Sequence, residues 1–305
     1  MTTRVFVTGA TGYIGSAVAA RLARDGRYEV FGLTRNKERG HALEAAGITP
    51  VHGDLQAPNE WMGVLQNCDA VVHLASDPQH GASDRDAEAL EAFRHAALDG
   101  RVRKVLYTSG VWVMGGSDGE VLDESAPLQP LELVSWLAAH EEVAIALDSH
   151  EVETIILRPG MVYGEGRGIL HSWWNSAREK KTIHFPGGDQ HWAMVHRDDV
   201  AEAYALALEH APGGERYILA DDTHPTVREL AAAAAAASGA KAIAQNPKQL
   251  VEKLGLFGKA LLSDIRVTST KARRELGWVP RHTSFLTEAP AAWAEYKATK
   301  ETPVA

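Results

Sequence analysis

Three glycines, spaced three residues apart, follow the first apolar segment of the chain. Val5–Val7 is typical of a strand, and Ser16–Arg24 has the residue spacing of a helix. Glycines between a strand and a helix permit a tight turn and let backbone N–H groups approach a diphosphate at the positive end of the helix dipole. An ordinary strand-to-helix turn is the alternative. The context favours a dinucleotide-binding turn formed by Gly9, Thr11, Gly12, Tyr13, Ile14 and Gly15.

A cluster of basic residues follows the second predicted strand, where such turns hold the ribose of the adenosine. An acidic side chain at this point binds the ribose 2′-hydroxyl and repels a 2′-phosphate, whereas an arginine does the reverse. The residue here is Arg35, and Lys37 and Arg39 make the local field positive. A solvated basic turn would have the same composition. The charges favour NADP(H) as the cofactor, with NAD(H) as the alternative.

Strands alternate with helical segments through the first half of the chain. This alternation predicts an α/β fold, a Rossmann-type doubly wound parallel sheet whose ligands bind beyond the carboxyl ends of the strands. After Val5–Val7, the predicted strands are Glu29–Leu33, Pro50–His52, Ala70–Leu74, Val105–Thr108 and Thr154–Leu157.

After Gly164 the alternation gives way to clusters of glycine, proline and polar residues. We expect a cofactor-binding Rossmann domain over residues 1–163, to which 193–220 returns, and a smaller substrate-binding lobe over 164–192 and 221–305. In this lobe the alanine run Ala231–Ala237, preceded by Thr226 and Glu229, predicts a capped helix.

Composition narrows the classes of partner. The 305 residues carry a formal net charge of -9, which disfavours nucleic acid because neutralising phosphates needs a basic face. The single cysteine, Cys68, is expected to be a buried thiol. The N-terminal residues lack the pattern of a signal peptide, and no apolar run is long enough to cross a membrane. We expect a cytoplasmic protein that binds a small molecule and neither nucleic acid nor membrane.

Several short motifs are spread over almost the whole chain: Thr8–Gly15, Gly53–Leu55, Val72–Ser76, Tyr107–Ser109, Arg158–Gly164, Val195–Ala201 and Glu275–Pro280. Together they resemble the extended short-chain dehydrogenase/reductase superfamily, also called the NAD-dependent epimerase/dehydratase family. The resemblance implies a homodimer that pairs through the helices Asp86–Leu98 and Leu131–Leu147. It also implies a cofactor site in which each segment of the dinucleotide has its own contacts. These are Asp54 and Leu55 at the adenine, Leu74, Ala75 and Ser76 along the ribose and diphosphate, and Pro159 to Val162 along the nicotinamide. Thr108 is a further expected contact to the cofactor.

The chain departs from this family at the positions that usually perform the chemistry. Typical members place a serine or threonine after a central strand, and a tyrosine four residues before a lysine on a helix. Alignment through Gly115 puts Gly110 at the serine position, and it puts Trp136 and His140 at the tyrosine and lysine positions. An indole only donates a hydrogen bond, so Trp136 binds or shapes and cannot carry the proton. The chain thus resembles an atypical branch of the family.

Several residues could supply the proton that the usual tyrosine provides. His140 could replace the lysine as a contact to the ribose or could supply the proton itself. The other candidates are the Ser109 hydroxyl, the Tyr163 phenol and the His196 imidazole, each on a segment predicted to approach the carboxyl edge of the sheet. The residues leave these alternatives open.

An aromatic residue indicates the kind of substrate. Nucleotide-sugar members of the family carry an arginine near the strand that leads to Val195, whereas this chain has Trp192. Together with Trp112, Trp173 and Trp174, it favours an apolar substrate. The leading hypothesis is an NADP(H)-dependent oxidoreductase that transfers hydride to a small, largely apolar carbonyl, imine or enone. The alternatives are a redox-silent NADP-binding sensor or regulatory protein, and an isomerase, epimerase or lyase on the same fold.

Overall fold

The computed structural model describes residues 2–76, 81–149 and 151–301. Twelve strands are present in this part of the chain: β1 (Thr3–Thr8), β2 (Tyr28–Thr34), β3 (Thr49–His52), β4 (Ala70–His73), β5 (Lys104–Thr108), β6 (Glu153–Pro159), β7 (Met161–Gly164), β8 (Arg167–Gly168), β9 (Thr182–Pro186), β10 (Met194–His196), β11 (Arg216–Leu219) and β12 (Lys241–Gln245).

Twelve α-helices separate or follow these strands in the described ranges: α1 (Tyr13–Ala23), α2 (Lys37–Ala45), α3 (Met62–Leu65), α4 (Ala82–Asp99), α5 (Ser135–Ile145), α6 (His171–Lys180), α7 (Arg197–His210), α8 (Val227–Ser238), α9 (Pro247–Leu254), α10 (Leu256–Leu261), α11 (Thr270–Leu276) and α12 (Phe285–Glu301). No described helix has both the length and the apolar character needed to cross a bilayer.

A seven-stranded parallel sheet forms the centre of the protein, in the order β11-β6-β5-β4-β1-β2-β3. The strand order reverses at β1, which pairs with β2 on one side and with β4 on the other. This reversal opens a crevice at the carboxyl ends of β1 and β4, the usual ligand position of a doubly wound sheet. The predicted α/β, Rossmann-type fold is confirmed.

Side chains alternate across the sheet and build a core on each face. In β1, Val5 and Val7 point to the face covered by α1, α2 and α7, whereas Phe6 points to the face covered by α3, α4 and α5. Both faces are apolar, as expected for parallel strands covered by helices. Cys68 is buried in the second core, and burial raises the pKa of its thiol to about 12.

A third core lies under the small sheets formed by the rest of the chain. β7 pairs with β8 and β10, while β9 and β12 form a two-stranded parallel sheet. Strand β9 lies in the region after Gly164 where glycine, proline and polar residues cluster in the sequence. The alanine-rich helix begins at the predicted cap, because Thr226 accepts from Glu229 N–H while the Glu229 side chain accepts from the Thr226 backbone.

Candidate functional site: two cavities joined at the glycine turn

The glycine turn has no space for side chains at two of its positions. Gly9 has φ +67°, and a Cβ there would lie 2.7 Å from the backbone of Leu74 and Ala75. A Cβ on Gly15 would lie 2.1 Å from the Gly9 carbonyl oxygen. The next element, α1, begins without a side-chain cap at Gly12, so its first N–H groups are available to an anion. This backbone cradle fits the diphosphate of a dinucleotide.

A cavity of about 210 Å³ extends from this turn to the end of β2. Two arginines, Arg35 after β2 and Arg85 in α4, approach opposite oxygens of Asp54, each at 3.6 Å. Two guanidinium groups that face the same space can bind a phosphate as well as a carboxylate. We call this cavity the adenosine groove; its wall comprises Gly9, Thr11, Gly12, Leu33, Thr34, Arg35, Arg39, Gly53, Asp54, Leu55, Leu74, Ala75, Ser76 and Arg85.

The structure therefore brings together the residues assigned to the adenine, ribose and diphosphate. Arg85 was not found from the sequence, because a charged residue in a helix is usually a solvated surface residue. Its side chain is only 15% exposed, compared with 58% for Arg35. The adenosine groove thus has one partly buried and one exposed guanidinium beside Asp54.

A second cavity, of about 310 Å³, lies on the other side of the turn. Its wall is almost entirely apolar, and it joins the turn to the segment after β5, the first residues of α5, and the β6–β8 region. We call it the apolar cavity; it is lined by Tyr13, Ile14, Ser109, Gly110, Val111, Trp112, Val134, Leu137, Pro159, Gly160, Met161, Val162, Gly168 and Ile169. Ser109, Pro159 and Val162, three residues predicted for the site, line this one cavity.

Ser109 differs from the other polar residues near this cavity. Its Oγ is a buried atom without a hydrogen-bond partner among the described residues, and so is Trp112 Nε1. Buried polar atoms are normally satisfied, and an exception calls for a missing partner such as a ligand or water. Thr108, the preceding residue, instead shares a 2.7 Å hydrogen bond with the Tyr204 hydroxyl and lines neither cavity.

Two predicted candidates for the acid lie away from the apolar cavity. Tyr163 is buried, and its hydroxyl donates to Glu288 Oε2 at 3.0 Å. Burial, together with the charge of Glu288, raises the pKa of this phenol. His196 stacks on His282 with ring centres 3.5 Å apart, and burial followed by the neighbouring His282 lowers its pKa to about 4. Neither Tyr163 nor His196 lines the cavity, and their rings instead contact Glu288 and His282 from the C-terminal part of the chain.

Trp136 and His140 lie on α5, beside the apolar cavity rather than in its wall. The two rings meet edge to face, with centroids 5.2 Å apart. His140 Nδ1 is 2.6 Å from an oxygen of Asp86 in α4. Asp86 was missed from the sequence, although a signal was present: it lies four and seven residues before the buried Leu90 and Phe93, on the apolar face of α4.

Of the tryptophans expected near an apolar substrate, Trp112 alone lines the apolar cavity described here. Trp173, Trp174 and Trp192 are buried in the third core. The Trp192 indole donates to the Leu261 carbonyl at 3.2 Å, which makes it a core residue rather than a substrate contact. The apolar character of the site comes mainly from aliphatic side chains.

Comparison with known proteins decides the family. The model of the "NAD dependent epimerase/dehydratase family" matches residues 5–220, more than half of the chain. The chain belongs to this family. The resemblance to extended short-chain dehydrogenases/reductases is thereby confirmed, and the nicotinamide-dinucleotide site that the glycine turn fits is supported.

Relatives from several organisms match the chain over almost its full length. An uncharacterized protein of Schizosaccharomyces pombe is 30% identical and covers 93% of this chain and 97% of its own. The 4-hydroxy-2-methyl-3-oxo-4-farnesyl-3,4-dihydroquinoline-1-oxide ketoreductase of Stigmatella aurantiaca is 27% identical, over 92% of this chain and 93% of its own. The structure of a dTDP-glucose 4,6-dehydratase from Streptomyces venezuelae, with NAD bound, superposes with a TM-score of 0.81 at 23% identity, over 98% of each chain.

Proposed function

We propose that the protein is an NADP(H)-dependent oxidoreductase that acts on a small, largely apolar carbonyl, imine or enone. The observation that carries the proposal is the apolar cavity, which combines the nicotinamide segment Pro159–Val162 with a wall that offers no described charged side chain. A charged or heavily hydroxylated substrate would lose its hydration there without compensation. A ketoreductase among the full-length relatives supports the same class of reaction.

The preference for NADP(H) rests on the adenosine groove. Arg35, Arg39 and Arg85 line it, while Asp54 is the acidic residue of its wall. A 2′-phosphate would add negative charge near the two guanidinium groups that already approach Asp54. Charge-assisted hydrogen bonds to a phosphate are stronger than those to a neutral ribose hydroxyl. NADPH should therefore bind more tightly than NADH.

A nicotinamide cofactor held here would supply or accept the hydride. The residues of this chain then have three tasks: the glycine turn and α1 hold the diphosphate, Pro159–Val162 place the reactive end against the apolar cavity, and the aliphatic wall excludes water. The Ser109 hydroxyl is available to donate a hydrogen bond to a substrate oxygen. Trp136 contributes shape and packing, because its indole N–H cannot exchange a proton with substrate.

The experiment that tests this proposal has two stages. Fluorescence titration compares the affinities for NADPH and NADH, and the absorbance of NADPH is then followed with a panel of apolar aldehydes, ketones, imines and enones. Tight NADPH binding with consumption supports the oxidoreductase. Binding without consumption favours the redox-silent binder that the replaced tyrosine and lysine positions suggest, unless product analysis reveals an isomerised or cleaved substrate.

We also propose a homodimer formed by α4 and α5. Each helix exposes a large aliphatic side chain, since Leu98 is 69% and Val143 is 53% exposed. Apolar surface on adjacent helices is favourable to bury against a second copy. Light scattering of the purified protein should give twice the monomer mass, and Leu98→Glu together with Val143→Glu should shift the mass to the monomer. A monomeric parent protein would contradict the proposal.

A further inference from the structure

A buried carboxylate joins four elements near the carboxyl edge of the sheet. Asp86 in α4 is 5% exposed, and it accepts hydrogen bonds from His73 Nε2 at 2.9 Å, the Tyr107 hydroxyl at 2.7 Å and His140 Nδ1 at 2.6 Å. Burial raises the pKa of this carboxyl, but the hydrogen bonds from His140, His73 and Tyr107 outweigh burial and hold the pKa well below its ordinary value. Asp86 is therefore ionised at neutral pH.

An ionised carboxylate only accepts hydrogen bonds, so it decides which nitrogen of each imidazole carries a proton. His73 donates through Nε2–H, and its Nδ1 then accepts from the Thr8 hydroxyl 2.7 Å away. The Thr8 oxygen in turn accepts from the backbone N–H groups of Leu74 and Ala75, at 3.2 and 3.3 Å. Leu74 and Ala75 line the adenosine groove, so the network reaches the cofactor site at this end.

His140 is the opposite end of the network. Its Nδ1–H is engaged by Asp86, so Nε2 is the ring nitrogen left for another partner. No described residue hydrogen-bonds to Nε2. This atom is nevertheless not fully buried, and the His140 side chain is 15% exposed. Leu137, three residues earlier on the same face of α5, lines the apolar cavity. His140 therefore shares a face of α5 with a residue of the cavity wall, although its own side chain is not part of that wall.

We propose that Asp86 is a positioning residue that holds His140 in the Nδ1–H form and thereby presents Nε2 as the acid–base atom of the apolar cavity. The inference rests on the proposed oxidoreductase function, and it assigns the proton that Trp136 cannot supply. A carboxylate on the apolar face of a helix is costly to bury unless its lone pairs are satisfied. Two imidazoles and a phenol satisfy them here, and His140 alone of the three has an accessible second donor or acceptor atom.

The reaction balances with groups already described. During reduction the carbonyl carbon receives the hydride of the reduced cofactor, and the π electrons of the C=O bond move to the oxygen. That oxygen takes the proton from Nε2–H of protonated His140, which leaves an alcohol, the oxidised cofactor and a neutral ring with Nδ1–H still bound to Asp86. After the product leaves, a proton from the bulk solvent returns to Nε2. In the oxidation direction neutral Nε2 accepts the alcohol proton.

The test replaces Asp86 by asparagine in the full-length protein. Asp86→Asn keeps the shape but removes the negative charge and replaces one of the two acceptor oxygens by an NH2 group, which must face either His73 or His140. Long-range proton–nitrogen NMR correlations should show the proton on His73 Nε2 and on His140 Nδ1 in the parent protein, and at least one of these two rings should carry its proton on the other nitrogen in Asp86→Asn. We expect kcat to fall about 100-fold or more, as for removal of a general acid, while the NADPH Kd stays within about twofold. Glu88→Gln makes the same change of charge at an exposed position of α4, so it should leave kcat and the His140 spectrum unchanged.

A second variant covers the case in which Asp86→Asn does not fold. His140→Gln retains polarity but cannot transfer a proton, and it should also lose kcat about 100-fold or more at unchanged NADPH affinity. The inference is overturned if His140 in the parent protein carries its proton on Nε2, if His140→Gln keeps its kcat, or if either variant weakens NADPH binding without a change in kcat. If the parent protein reduces no carbonyl, the proposed function fails, whereas the tautomer spectra still decide whether Asp86 positions His140.

Discussion

Charge reversal at Arg35 tests the assignment of the adenosine groove most directly. Arg35 is 58% exposed, and its guanidinium is 3.6 Å from Asp54, beyond hydrogen-bonding distance. An exposed ion pair of this kind contributes only about 0–1 kcal/mol, so Arg35→Asp should have little effect on folding. A charge-assisted hydrogen bond to a bound 2′-phosphate is worth about 1.5–3 kcal/mol.

The loss for NADPH includes repulsion as well as the missing hydrogen bond. Carboxylate and phosphate charges a few ångströms apart at a protein surface repel by about 1–4 kcal/mol before screening by salt. The two contributions add to about 2.5–7 kcal/mol before screening, which predicts an NADPH affinity reduced by about 60-fold or more, since about 1.4 kcal/mol is tenfold. NADH has no 2′-phosphate, so its affinity should stay the same or rise.

Fluorescence titration of both cofactors at low and high salt measures this difference. Lys37→Ala is the matched control, because Lys37 lies in the same basic segment but does not line the groove. The control should change both affinities by less than about twofold, and Arg85→Ala should weaken NADPH in the same direction as Arg35→Asp. Equal losses of NADPH and NADH affinity in Arg35→Asp would refute the phosphate assignment.

Three other substitutions test the turn, the core and a buried acid. Gly15→Ala should abolish cofactor binding in calorimetry, because its Cβ has only 2.1 Å of space, whereas Gly26→Ala, which meets nothing within 4 Å, should bind normally. Glu141→Gln should lower the free energy of unfolding, measured in urea, by about 3–5 kcal/mol. The reason is that the guanidinium of Arg158, which is 1% exposed, loses its buried counterion. A loss below about 1 kcal/mol would contradict a stabilising role of this buried ion pair. Burial raises the pKa of Asp221 to about 6. Between the ordinary carboxyl pKa and about 6, the native state therefore binds more protons than the unfolded state, and the protein loses stability as the pH rises. This loss of stability is complete above about pH 6. Asp221→Asn should therefore unfold at higher urea than the parent protein at neutral pH and lose that advantage near pH 4; the same difference at both values would exclude titration as its cause.

The sequence was sufficient for the sheet and for the cofactor turn because both depend on local rules. Gly9 and Gly15 are required by close backbone contacts, either within a few residues or across one pair of neighbouring strands. The alternation of strands and helices follows from the burial of both faces of the sheet. The Thr226–Glu229 cap was predictable for the same reason. The confirmed elements are thus those whose causes lie close together in the chain.

Side chains that meet only through tertiary packing were harder to place. Tyr163 and His196 lie in β7 and β10, but residues far along the chain engage them: Glu288 accepts a hydrogen bond from the Tyr163 hydroxyl, and His282 stacks on the His196 ring. Arg85 has no local pattern that distinguishes it from a solvated helix residue. The sequence indicated polar residues near the carboxyl edge of the sheet, but it did not indicate which of them face the apolar cavity.

The changes at Trp136 and His140 are better understood as parts of one arrangement than as separate losses. A histidine on α5 needs an acceptor for its Nδ1–H, and Asp86 provides it from α4. That carboxylate requires further donors, which Tyr107 and His73 provide from neighbouring strands. Trp136 completes the arrangement by packing its ring edge to face with the imidazole. Because Asp86 and His140 satisfy each other, a substitution that removes the donor at His140 or the acceptor at Asp86 would leave a buried polar group without its partner, which couples these two positions.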